Sequence, residues 1–311
     1  MRQVPITVSG EGFHGKYVKP EAQAAFVGRT QRALRDATRF RTFRSSRLSG
    51  RPFSFLSNIW NIDQAPWTEG EGGDTLLVFR APTLGDAAPK LFEQGALFEE
   101  DRLRPEWTAF DLFGQVVNGA ISKPSVDWDL DYGMIDSLHS FSPSFKQGLE
   151  KAEFPFADGG AHKAVLDKPL ADRAGEALLQ TPPSRRIRIV GRLDMLGLSD
   201  RLFKLILADG SKVRGFWTPD TVSLRDFLGD DVLLEGDASF RSNGDLVAVE
   251  ARAARHATKG DHAFTRRPSA VGARARLKLV TTSEQGFRSI VGQWPGDESE
   301  EEIDAFLRAI S

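Results

Sequence analysis

RIRIVGRLDMLGLSDRLFKLILADGSKVRGFW, residues 186–217, and DVLLEGDASFRSNGDLVAVEA, residues 231–251, decide the fold of this 311-residue chain. Arg186, Ile187, Arg188 and Ile189 alternate charged and apolar, so one face is wet and the other buried. Gly191 then allows the strand to coil. Phe203, Leu205 and Leu207 make the inward face of a second strand. Asp209-Gly210 is a hairpin turn, since both residue types tolerate positive φ. Residues 212–217 return as a third strand. Thr218 and Pro219 then read as an N-cap and first helical position, with a short helix over residues 218–228 and a stop at Gly229. Residues 232–236 start a fourth strand, Asn243-Gly244 turns the chain, and residues 246–251 form the fifth.

Three strands, a helix and two strands within about seventy residues is the order of a small closed barrel of the OB type. Such barrels are more often binding modules than catalytic scaffolds. The segments around Val190 to Asp194 and Leu234 to Arg241 also resemble parts of uncharacterised bacterial OB-like proteins, a likeness that implies no activity.

Working outward, the fold class expected is α+β. A mixed domain spans residues 1–165, a linker 166–183, the barrel 184–256, a second linker 257–286 and an acidic helical tail 287–311. Residues 3–8 and 75–79 read as strands. Residues 20–43 read as a helix with Phe26, Ala33, Ala37 and Phe40 on one side and Arg32, Arg35 and Arg39 on the other. Helices are also predicted over 106–120 and over 130–149, with Pro143 either bending the second or marking a boundary. Gly159-Gly160 and Pro182-Pro183 mark the linker into the barrel.

The absence of cysteine excludes disulfides and thiolate metal sites. No stretch approaches 18 apolar residues and the N-terminus lacks a signal-peptide core, so a cytoplasmic protein without membrane contact is expected. The net charge of −2 conceals blocks. Residues 1–60 carry 11 Lys and Arg against 3 Asp and Glu, whereas residues 61–180 carry 10 against 21. Residues 181–280 are basic again, 18 against 12, and the last 31 residues are acidic, 2 against 7. Blocks of opposite sign can satisfy each other within one molecule.

No phosphate-binding loop, dinucleotide fingerprint, nucleophile elbow or HExxH motif occurs, and the five histidines lack metal-site spacing. No catalytic residue, cofactor or metal is therefore expected. The enzyme-like exception is Asp127, Asp129 and Asp131, whose alternation puts three carboxylates on one side of an extended segment. That set is the basis of one alternative, a metal-dependent phosphoryl-transfer enzyme. A second alternative is a single-stranded nucleic-acid binder. It would use Arg32, Arg35 and Arg39 of the helix with Arg188, Arg192, Arg214 and Trp217 of the barrel, because aromatics beside positive charge suit a single strand.

The leading expectation comes from the tail. Trp294-Pro295-Gly296-Asp297-Glu298-Ser299 precedes an acidic run and the apolar set Ile303, Phe306, Leu307 and Ile310. This pattern resembles the C-terminal tails of bacterial antitoxins that wrap PIN-type ribonuclease toxins. The resemblance covers about twenty residues, and the DNA-binding unit of those antitoxins has no counterpart at the N-terminus here. It implies a non-enzymatic binding or regulatory protein that neutralises a partner encoded nearby. Trp294, Asp297, Glu298, Ile303, Phe306 and Leu307 would be the partner-binding residues.

Overall fold

The structure is a computed structural model that describes residues 1–47, 54–92, 103–156, 163–198, 201–217 and 223–268. The tail residues named above and positions 218–222 of the expected barrel helix lie outside the described residues. Residues 1–270 form one compact unit.

The first part of that unit is an antiparallel sheet with helices packed on it. Its strands are β1 (Arg2–Ser9), β4 (Asp63–Gln64), β5 (Thr68–Glu69), β6 (Thr75–Ala81), β7 (Lys151–Pro155) and β8 (Lys163–Asp167). They run in the order β4-β6-β1-β7-β8, with β5 also on β6. A small hairpin, β2 (Phe13–His14) and β3 (Tyr17–Val18), leads into helix α1 (Pro20–Phe43). The predicted face of α1 is buried: Phe26, Ala33, Ala37 and Phe40 are all at most 1 % exposed. A short helix α2 (Leu84–Ala87) follows β6. Helix α3 (Ala109–Ile121) starts in a capping box between Thr108 and Asp111, and Gly114 lies so close to β7 that a Cβ there would strike the Pro155 carbonyl.

The single helix predicted over 130–149 is two: α4 (Tyr132–His139) and α5 (Ser142–Lys146). Pro143 sits in the first turn of α5, where a missing N–H costs nothing, so of the two expected outcomes it marks a boundary. The linker read at 166–183 is corrected as well. It holds the end of β8 and helix α6 (Lys168–Gln180), whose start is capped by Asp167, its Oδ1 accepting from Leu170 N at 2.9 Å. Leu170, Ala171, Ala174 and Ala177 bury one face of α6.

The remainder is a closed five-stranded barrel of β9 (Arg185–Leu196), β10 (Leu202–Ile206), β11 (Lys212–Trp217), β12 (Asp231–Phe240) and β13 (Leu246–His256). The first, second, third, fifth and fourth strands follow one another around it. All neighbours are antiparallel except β11 and β13, which pair in parallel from Gly215–Val249 to Trp217–Ala251. The predicted hairpin is present, with Gly210 at φ +78°. Between β11 and β12 the described residues form a single 3₁₀ turn, Arg225–Phe227. A Cβ on Gly215 would strike the Phe203 ring and the Val249 carbonyl, so glycine is needed for the barrel to close around that ring.

Two cores result. Phe203, Leu205, Val213, Trp217, Leu234 and Phe240 fill the barrel. Phe216 and Val247 point outward and join the core of the first part, where the Phe43 and Phe216 rings lie 5.2 Å apart. The barrel is thus packed against the end of α1.

A candidate anion-binding groove

The residues singled out in the sequence disperse. Trp217 is 6 % exposed and belongs to the barrel core, because the strand alternation that turns Phe216 out turns Trp217 in. It offers no face to a base. Arg32 pairs with Asp136 at 2.8 Å and lies 3.7 Å from Asp36, so it docks on its own chain. Arg39 is 3.9 Å from Asp36 and stacks over the Trp60 ring, while Arg35 reaches only the Gln31 carbonyl of its own helix. On β9, Arg188 lies 3.5 Å from Glu235 and Arg192 is 3.5 Å from Asp194.

The aspartates part company in the same way. Asp127 ends a 3₁₀ turn. Asp129 takes Arg44 at 2.9 Å on one oxygen and Arg241 at 2.7 Å on the other. Asp131 is 3 % exposed, accepts hydrogen bonds from Ser46 N and Oγ, and caps α4 through Met134 N. Burial pushes the Asp131 carboxyl up, against those hydrogen bonds. Among the described residues no group of three His, Cys, Asp or Glu is placed to hold a metal.

What the fold does assemble is a basic groove where the barrel meets the end of α1. One recess, of about 270 Å³, is lined by Lys212 and Arg214 of β11, Arg241 of the β12–β13 turn, and Arg267. Arg44 and Asp129 also line it and are shared with a second recess of about 140 Å³. That recess lies between α1 and α3 and adds Arg41 and Lys123 over a floor of Phe40, Val116, Trp128 and Leu130. Together the two hold seven cations and one carboxylate.

The cations come from several elements. Arg44 is the C-cap of α1, in the left-handed region at φ 58°, where its N–H bonds the Phe40 carbonyl. Arg241 is held as its backbone N–H donates to the Asp245 carbonyl across the β12–β13 turn. Arg267 donates to the Leu246 carbonyl at 2.8 Å. The Arg41 guanidinium is pulled down to about 10, chiefly by burial and then by Arg44 beside it. The Nε atoms of Arg41 and Arg241 are buried without a hydrogen-bond partner. Fixed, incompletely matched donors of this kind suit an anion with several oxygens.

Arg214 alone among the predicted nucleic-acid residues lines this groove. Arg41 and Arg44 belong to the arginine run visible in the sequence. Lys123, Arg241 and Arg267 carry no local signal, since only the packing of barrel on helix brings them together with Lys212 and Arg214. No family model, curated protein or solved structure matches this chain. No helix among the described residues is long and apolar enough to cross a membrane.

Proposed function

We propose that this protein is a non-enzymatic binder of single-stranded nucleic acid, with an OB-type barrel as its platform. The observation that carries this reading is the groove of seven cations against one carboxylate. Its location supports the same reading. OB barrels that take oligonucleotides use the second and third strands with the turn between the fourth and fifth. Here β11 is the third strand and Arg241 opens the turn between the fourth and fifth. The strand order, with its parallel third and fifth strands, supports the OB assignment.

The barrel aromatics Phe203, Trp217 and Phe240 are interior. Recognition therefore rests on phosphate contacts, with little preference among bases. Fluorescence anisotropy with labelled single strands tests this. Four neutralised phosphates give a slope of about −3 in log affinity against log salt. Arg214→Gln and Arg241→Gln should each reduce the slope by about 0.7. Absence of binding at low salt, or binding indifferent to both substitutions, would end the proposal.

A further inference from the structure

We infer that the smaller recess, between the end of α1 and α3, receives the terminal phosphate of a bound strand. This rests on the nucleic-acid reading above and names the feature of the ligand that the groove distinguishes.

The two recesses differ in size and lining. The larger, about 270 Å³, is lined on the barrel side by Lys212, Arg214 and Arg241. The smaller, about 140 Å³, is floored by apolar side chains, with Trp128 itself only 1 % exposed. Its volume is about half that of the larger recess, with room for a phosphate. An internal phosphodiester must let the chain run on from both sides. A terminal phosphate needs room for the chain on one side only.

Charge points the same way. Arg41, Arg44 and Lys123 ring the recess, and Asp129 is the one carboxylate there. Asp129 is already engaged by Arg44 and, from the barrel side, by Arg241. Arg41 is left with a buried Nε that has no partner, and burial beside Arg44 weakens its hold on its proton. Each helix C-terminus supplies only about half a negative charge. A phosphate monoester brings close to two charges at neutral pH and three acceptor oxygens, where an internal diester brings one charge and two free oxygens. The monoester is the better match for an under-neutralised cation cluster.

The experiment compares single strands identical except for a phosphate or hydroxyl at the 5′ end, and a second pair differing at the 3′ end. Anisotropy is measured on wild type, Arg41→Gln, Arg41→Lys, Lys123→Gln and Arg241→Gln. In wild type one phosphorylated end should bind about tenfold tighter than its hydroxyl counterpart, the gain of one charge-assisted contact. Arg41→Gln should abolish that preference, Arg41→Lys should retain part of it, and exposed Lys123→Gln should reduce it without loss of fold. Arg241→Gln should weaken both members of a pair alike. Equal affinity of both pairs in wild type, or a preference that survives Arg41→Gln and Lys123→Gln, overturns the inference while leaving strand binding intact. A parallel arm heats the protein with inorganic phosphate. If no oligonucleotide binds yet phosphate raises the melting temperature of wild type and not of Arg41→Gln, the recess stands as a phosphate site and the nucleic-acid reading falls. If phosphate also has no effect, both fall.

Discussion

Asp129 and Asp131 are two residues apart and do different work. Asp129 faces the groove and joins Arg44 of the α1 cap to Arg241 of the barrel. Asp131 is buried and accepts from Ser46 and Met134. Asp131→Ala removes an N-cap and leaves the Ser46 and Met134 donors unmatched. The expected cost is about 2–4 kcal/mol by urea denaturation, and a cost under about 1 kcal/mol would mean that water replaces the carboxylate. Asp261 makes a pH prediction. Both its oxygens meet Arg255, at 2.7 and 2.8 Å, and Thr258 donates through its hydroxyl and its N–H. The Arg255 guanidinium, followed by Thr258, holds this carboxyl well below the usual carboxylate range. A depressed folded-state pKa stabilises the fold above the unfolded value of about 4, and the contribution is lost as pH falls below it. The melting-temperature gap between wild type and Asp261→Asn should therefore be widest near pH 7 and shrink as the pH drops from about 5 toward 2. A gap that grows on acidification contradicts the assignment.

At the scale of elements, β9 and β12 carry the barrel. β12 pairs with β9 over eight residues and with β13 from Val232 to Phe240. Leu205 of β10 is fully buried in the barrel core. Leu205→Ala is expected to cost about 2–5 kcal/mol, measured by chemical denaturation, and a loss near zero would mean that the barrel interior is loosely filled. The strands were legible because an alternating pattern is a local property: Arg186 to Ile189 and the odd positions from Phe203 to Leu207 state their faces without reference to the rest of the chain. Helix α6 was not legible. Its buried stripe is largely alanine, at 171, 174 and 177, and Leu179 is exposed, so hydrophobic periodicity gives little sign of it. Asp167 and Pro169 did carry a start signal, outweighed by the Gly-Gly and Pro-Pro pairs on either side.

For the whole molecule, the charge blocks find each other. Arg2 meets Asp111, Arg32 and Arg47 meet Asp136, and Arg44 meets Asp129, each joining the basic first block to the acidic second. The barrel is tied to the first part by Phe43 against Phe216, by Ser45 to Ser239 at 3.1 Å, and by Arg241 on Asp129. Because Phe216 belongs to the larger core, residues 1–268 should unfold together. Phe216→Ala is expected to cost about 3–5 kcal/mol and to lower one shared transition in calorimetry. A barrel transition that separates from the rest would show that the seam adds little.

The sequence by itself determined the five strands of the barrel, helix α1 and the sign of each charge block, because periodicity, turn chemistry and composition act over a few residues. Only the tertiary structure decided the groove. Its cations stand at positions 41, 44, 123, 212, 214, 241 and 267, and no window of sequence contains more than two or three of them. It also decided which arginines were spent on acids elsewhere in the chain and which were gathered at the groove. Ion pairing depends on distances of a few ångströms that packing alone sets, and a side chain's sign says nothing of its neighbours until the barrel is seated on the helix.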